Sequence, residues 1–258
     1  MILEEKQISN LIISDFFERF KNSLSCDVAI VGGGPSGLVC SYFLAKHGLK
    51  TVLFERKASL GGGIWGGGMM FNTVVFQDSI EKLLKELGIQ YKTGKDGYIL
   101  TNAPAVVSSL MSAACRKHVE IFTFMSAEDL VVKRKRVCGL VLNWTPVQSQ
   151  GLAVDPLTIQ AKYVVDATGH NYEVTRMITD KLKGKSKNKM LFSGTEKPMN
   201  AHRAEKEVVD NSKEIYPGLY VSGMAANAVF GGHRMGPIFG GMFLSGEKVA
   251  RSIIKKLK

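Results

Sequence analysis

Residues 27–37, Asp-Val-Ala-Ile-Val-Gly-Gly-Gly-Pro-Ser-Gly, carry the types and spacing that point most directly to chemistry. Gly32, Gly34 and Gly37 form G-x-G-x-x-G, with Ser36 between the last two. In a dinucleotide-binding turn the first glycine allows a tight bend and the second lets backbone approach a pyrophosphate. The third lets the following helix pack on the strand. A diphosphate would rest there on free N–H groups at the positive end of a helix dipole. Glu55 closes the next apolar run, Thr51 to Phe54, where an acid hydrogen-bonds the adenosine ribose hydroxyls. A lone glycine fingerprint says little, but this one has a strand before it, a helix after it and an acid-terminated second strand. The reading is a site for an adenine dinucleotide.

The elements that would position this site follow from periodicity. Val28 to Val31 reads as a buried parallel strand, Leu38 to His47 as a helix and Thr51 to Phe54 as a second strand. The start, MILEEKQISNLIISDFFERF, carries acids early and lacks a basic region followed by a small-residue cleavage site. It reads as an amphipathic helix rather than a signal peptide. Ser59 to Met70 has six glycines and breaks all periodicity, which suits backbone that comes close to a ligand. Trp65 and two methionines there argue against a solvated linker.

Further along, Ser79 to Leu87 reads as a helix, Tyr91 to Leu100 as turn and strand, and Ala105 to His118 as a helix opened by Pro104. Glu120 to Phe124 follows, then a hairpin from Leu130 to Val132 and Val137 to Trp144. Ile159 to Asp166 is a strand running into Ala167-Thr168-Gly169-His170. Thr179 to Lys189 is basic and poorly periodic and reads as a mobile loop. Gly218 to Ser222 is the last core strand, ahead of a glycine-rich stretch to Gly241 and a helix from Phe243 to Lys256. The fold class is α/β: a Rossmann-like dinucleotide-binding fold of the two-dinucleotide-binding-motif type. It has a parallel central sheet and an antiparallel β insertion, in one domain spanning residues 1–258 with an N-terminal helix.

Composition bounds the partners. A chain of 258 residues can bury roughly 70% of its unfolded surface. No apolar run reaches the roughly 18 residues of a membrane span, so no membrane is expected. Cys26, Cys40, Cys115 and Cys138 lack metal-ligand spacing and read as buried thiols of a cytoplasmic protein. The net charge of +11 sits largely in runs without interleaved aromatics, so no nucleic acid is expected. A positive field still favours a polyanionic small substrate.

The segments FERKASLGGGIWGGGMMFN, NWTPVQ, VDPLTI, VVDATGHN and GHRMGPIFGGM resemble the thiamine thiazole synthases, in their archaeal-type, sulfide-using branch. The resemblance runs from about Phe16 to the C-terminus. It implies that NAD is a substrate rather than a hydride carrier. Nicotinamide leaves, the ADP-ribose opens to a ketone, glycine condenses with it, sulfide is added, and ring closure gives an ADP-linked carboxy-methylthiazole. It further implies iron(II) and a homo-oligomer, an octamer in the family. Ser36, Glu55, Arg56 and Gly63 would hold adenosine and diphosphate, and Ala127 would meet the adenine side. Ala153, Val154, Asp155 and Met224 would line the nucleotide channel, Asp155 and His170 would bind the iron, and Arg234 would pair with the glycine carboxylate.

One position departs from the family pattern. Where single-turnover members have cysteine and many sulfide-using ones have histidine, this chain has Ala153, so sulfur donation by the protein at that position is excluded.

Each of these residues also has a plainer role to set beside the implied one. Asp155 precedes a proline in a turn that aspartate can stabilise alone, and His170 follows a strand end. The strand Ile159 to Asp166, at about 3.3 Å per residue, sets its ends roughly 23 Å apart. Both ligands of one metal must approach to about 2.0–2.2 Å. If both bind one iron, they come from different protomers. Imidazole and carboxylate suit iron(II) with positions left open. For Arg234 the plain alternative is surface charge, but a planar fork in a tight glycine-rich turn suits a carboxylate.

Two rival functions remain at this level. One is an FAD-dependent oxidoreductase of the same broad fold, opposed by the lack of a substrate domain after Gly241. The other is a non-catalytic nucleotide-binding protein, to which Ala153 lends footing.

Overall fold

The computed structural model describes residues 3–182 and 194–258. Helix α1 (Glu5–Asn22) leads into β1 (Ser25–Val31), α2 (Pro35–Lys46) and β2 (Thr51–Glu55). A glycine-rich loop with one 3-10 turn at Gly62–Ile64 connects to β3 (Thr73–Gln77), α3 (Glu81–Glu86), β4 (Lys92–Thr93), β5 (Tyr98–Asn102) and α4 (Ala103–Cys115). Then come β6 (Glu120–Thr123), the hairpin β7 (Met125–Lys133) and β8 (Arg136–Trp144), α5 (Thr145–Gln150) and β9 (Leu157–Asp166). The remaining elements are α6 (Glu173–Leu182), α7 (Ala201–Asn211), β10 (Glu214–Tyr216), β11 (Leu219–Val221), α8 (Met224–Phe230) and α9 (Gly240–Leu257).

The main sheet has the order β10-β11-β9-β1-β2-β6, with β1, β2, β6, β9 and β11 all parallel. Long β9 pairs with β1 on one edge; on the other, its first half pairs antiparallel with β8 and its last three residues pair parallel with β11. The β7–β8 hairpin is thereby the antiparallel insertion. A second, three-stranded antiparallel sheet has the order β3-β5-β4. Both the parallel centre and the antiparallel additions match the fold class read from the sequence.

Strand side chains alternate between two faces, and each face has its own core. Val28, Ile30, Leu53, Tyr163 and Val165 pack with Leu38 and Val39 of α2, Val106 and Leu110 of α4, and Val249 and Ile253 of α9. Ala29, Val31, Val52, Phe54 and Val164 pack with Phe20 of α1, Leu130 of β7 and Leu140 of β8. A sheet covered on both faces needs near-continuous apolar strands, which is why β1 and β2 read so clearly.

Several boundaries differ from the sequence reading. Helix α2 begins at Pro35, whose missing N–H costs nothing in a first turn. Helix α4 begins at Ala103 because the Asn102 side chain caps it, accepting from Ala105 N–H at 2.8 Å. Thr179 to Leu182 belong to α6 instead of a loop, and the rest of the stretch to Lys189 lies outside the described residues. Of the cysteines taken as buried, Cys115 is exposed and Cys138 only half-buried. Cys26 and Cys40 are buried, and burial pushes the Cys26 thiol up to about 12. No helix among the described residues is long and apolar enough to cross a membrane.

Candidate active site

The turn after β1 is built as the glycine spacing requires. Gly32 has φ +106°, and a Cβ there would lie 2.4 Å from the Ala167 carbonyl oxygen. A Cβ on Gly37 would lie 2.0 Å from the Gly32 carbonyl oxygen, so only glycine lets α2 pack this tightly. Gly34, by contrast, faces open space. That opening, at the N-terminus of α2 with its unbonded N–H groups, is where a diphosphate fits.

The open space belongs to a cavity of about 780 Å³ at the C-terminal ends of β1, β2 and β9. Ligands bind at that end of such parallel sheets, and this size accommodates a nucleotide-sized molecule. Gly32, Gly34, Ser36, Glu55, Arg56 and Gly63 line it. Ala127, Met224, His170 and Arg234 line the same cavity. Gly37 does not, being buried beneath the turn that it allows.

Glu55 is buried at the end of β2, and both its oxygens are held by backbone. Oε2 accepts from Gly33 N–H at 2.8 Å and Oε1 from Lys57 N–H at 2.8 Å. Those two bonds lock the carboxylate and leave a second lone pair on each oxygen for ribose hydroxyls. Beside it, Arg56 donates to Glu173 Oε1 at 2.5 Å, tying β2 to the start of α6.

The turn carrying His170 is organised by Asp166, which sequence reasoning passed over as the last residue of a strand. Its fully buried carboxylate accepts four hydrogen bonds. Thr168 gives its N–H at 3.0 Å and hydroxyl at 2.6 Å, and Thr175 gives its N–H and hydroxyl, each at 2.8 Å. Burial pushes this acid up, and the threonine bonds pull it back. Thr168 Oγ1 in turn accepts from Glu173 N–H at 2.7 Å. The signal in the sequence was an acid at the end of an apolar strand with threonines two and nine residues on. Asp166→Asn presents an N–H₂ to groups that are themselves donors, so the variant should lose roughly 2–4 kcal/mol of stability in urea denaturation. An unchanged midpoint would contradict this role.

Arg234 lies on the turn between α8 and α9, exposed to the cavity, and no described residue holds its guanidinium by hydrogen bond or ion pair. Its backbone, however, is fixed on both sides: its N–H donates to Lys197 O at 3.1 Å and its carbonyl accepts from Asn200 N–H at 3.0 Å. Adjacent His233 is held by Glu207, which accepts its backbone N–H at 2.7 Å and faces its Nδ1 at 3.0 Å. Burial raises Glu207, but these bonds outweigh it and hold the acid below its ordinary range.

A further clasp joins β3, α7 and α9 behind the cavity wall formed by Phe239 and Met242. Glu205 Oε2 accepts from Gln77 Nε2 at 2.5 Å and from Gly241 N–H at 2.6 Å. Gln77 Oε1 and Glu205 Oε1 are both buried without partners. Burial pushes Glu205 up more than its two bonds pull it down. The folded chain therefore keeps this proton at a pH where the unfolded chain, at about 4.3, has lost it. The protonated acid's contribution is complete below that value and fades as pH rises through the folded pKa. Glu205→Gln mimics the protonated form, so its stability should fall less than the parent's over that interval. Parallel pH dependence of both melting temperatures would refute the assignment.

Ala153, Val154 and Asp155 depart from the expectation that they line the nucleotide channel: none of them reaches the cavity of its own chain. They are exposed in the link between α5 and β9. Strand β9 starts just after them and ends at the cavity. His170 lines the cavity without Asp155, and no group of three or more His, Cys, Asp or Glu able to hold a metal exists among the described residues.

Comparison with known proteins adds the following. The profile of the Thi4 family matches residues 9–239. A Pyrococcus horikoshii protein named thiamine thiazole synthase is 50% identical over 257 residues, covering all of both chains. One of the same name from Methanothermobacter thermautotrophicus is 46% identical over 258 residues, again covering both in full. The crystal structure of Thermovibrio ammonificans THI4 superposes with a TM-score of 0.94 at 48% identity, covering 100% of this chain and 99% of that one.

Proposed function

The chain belongs to the Thi4 family, and on that premise we propose that it is a thiazole synthase of thiamine biosynthesis that consumes NAD, glycine and sulfide with iron(II). The observation that carries this reading is a single cavity lined both by the dinucleotide turn with Glu55 and by His170 and Arg234. One end holds a nucleotide, and the other offers an imidazole and a guanidinium that no described residue pairs.

In this reading Glu55 receives the adenosine ribose and the N-terminus of α2 the diphosphate. Ser36 and Met224 flank the chain of the nucleotide. The nicotinamide ribose then reaches toward His170. Arg234 takes the glycine carboxylate, orienting its amine toward the opened ribose carbon where the two condense. Sulfide comes from solution, since Ala153 offers no sulfur and none of the four cysteines lines the cavity.

The donor chemistry fits iron(II) in a particular arrangement. Imidazole and carboxylate are suitable ligands, but one chain brings only His170 to the cavity. We therefore assign the carboxylate to Asp155 of a second copy, within a homo-oligomer that the family suggests is an octamer. When bound, the metal supplies Lewis-acid and sulfide-binding chemistry. Support for a second copy comes from the surface around Asp155, where Trp144, Leu152, Val154 and Leu157 are all exposed. Trp144 meets Phe16 of α1 at 5.8 Å, and Leu11, Ile12 and Phe17 extend exposed apolar surface along that helix. Such surface marks contact sites between proteins.

The deciding experiment is the mass of the small molecule released when purified protein is denatured in acid. NAD, its ADP-ribose adduct with glycine, or an ADP-thiazole supports the reading. FAD overturns it.

A further inference from the structure

Glu196 lies 26 residues beyond His170, and its Oε2 meets the imidazole Nδ1 at 2.7 Å. Its side chain is only 16% exposed, and its other oxygen, Oε1, is buried without a hydrogen-bond partner. Among the described residues, the imidazole supplies this carboxylate's one side-chain hydrogen bond. Two acceptors at that distance would repel, so Nδ1 carries the proton. The other ring nitrogen, Nε2, is then left with a free lone pair, on a half-exposed ring that lines the cavity.

The segment that carries Glu196 has a second attachment. Lys197 N–H donates to Gly232 O at 2.9 Å, and its carbonyl accepts from Arg234 N–H at 3.1 Å. Asn200 N–H donates to Arg234 O at 3.0 Å, and Met199 between them lines the cavity. Residues 194–200 thus form a strap across the site. A side chain of the strap grips His170, and its backbone grips the turn of Arg234.

We propose that Glu196 is a positioning residue for His170, fixing the imidazole as its Nδ1–H tautomer so that Nε2 is presented to the cavity. The strap it sits on sets that nitrogen in register with Arg234. The proposal rests on the reading of His170 as a metal ligand for its consequence, but not for its geometry. Ligating histidines commonly donate their second N–H to a carboxylate, which sets ring orientation and basicity. Because the backbone bonds of Lys197 and Asn200 hold the Arg234 turn, loss of the Glu196 side chain should disturb His170 alone.

The test uses the full chain with ¹⁵N-labelled histidine, Glu196→Ala and Glu196→Gln. In metal-free native protein, long-range ¹H–¹⁵N correlation should show His170 as the Nδ1–H tautomer. Glu196→Ala should move it toward the Nε2–H form that free imidazole prefers. Glu196→Gln, which keeps an acceptor oxygen, should retain much of the native signature. Glu196→Ala removes a carboxylate whose side-chain partner among the described residues is a half-exposed imidazole that water can serve instead, so the melting temperature and ADP-ribose affinity of the variant should match the parent. Titration with iron(II) alone should show affinity lowered about 10–100-fold in Glu196→Ala.

A native His170 in the Nε2–H form overturns the proposal, as does a tautomer indifferent to Glu196→Ala. Native protein that binds iron(II) no better than His170→Ala sinks the metal reading instead. The metal-free tautomer then still decides the role of Glu196 by itself.

Discussion

Arg234→Ala should lose roughly 30- to 1,000-fold in kcat/KM for glycine while its affinity for NAD changes little. The magnitude follows from deleting a charge-assisted, two-pronged contact to a carboxylate, about 2–4 kcal/mol in a partly enclosed site. The selectivity follows from geometry. Glu55, Ser36 and the α2 N-terminus, which would hold the nucleotide, make no hydrogen bond to Arg234, and no described protein group depends on its guanidinium. Removing it leaves no buried partner behind, so stability should stay within about 0.5 kcal/mol of the parent. Arg234→Lys keeps the charge but loses the planar fork, and should fall between the two. Steady-state kinetics with glycine varied at saturating NAD, set beside NAD binding by calorimetry, reads the split. Equal loss of glycine use and NAD binding would contradict the assignment.

The glycine turn and Glu55, which we propose hold the nucleotide, were legible because their constraints are local. Gly32, Gly34 and Gly37 meet their steric requirements within one turn, and Glu55 follows on the neighbouring strand. The near-continuous apolar runs of β1 and β2 then mark them as buried parallel neighbours, which brings them together. The catalytic half depends on contacts between residues far apart in the chain, to which periodicity is blind. Asp166 read as a strand end, yet it organises the turn of His170 through Thr168 and Thr175. Glu196 sits in an irregular stretch with no pattern at all, and only the folded chain brings it against His170. Glu207 and Glu205 lie on α7, in a stretch that no motif singled out. In the folded chain they turn inward, one to His233 and one to the N-terminus of α9. Helix starts shifted for a related reason, since Asn102 and Pro35 set them by capping and ring geometry rather than by apolar spacing.

Asp155→Ala and His170→Gln should each abolish turnover, and co-expressing the two should restore about a quarter of parental activity. Within one chain His170 lines the cavity and Asp155 does not, lying exposed in the link before β9. If each metal centre takes His170 from one copy and Asp155 from a neighbour, random mixing leaves about one centre in four with both ligands. Glutamine at position 170 keeps an N–H for Glu196, so the partly buried carboxylate is not stranded and the variant should fold. The same mixing distinguishes the alternatives quantitatively. Parent co-expressed with the double variant should retain about a quarter of its centres if they are shared, but about half if each chain is self-sufficient. Recovery from the two single variants should vanish when the mixed oligomer is dissociated, because neither copy alone contains both ligands. No recovery in a mixed oligomer of verified composition would place both ligands in one chain.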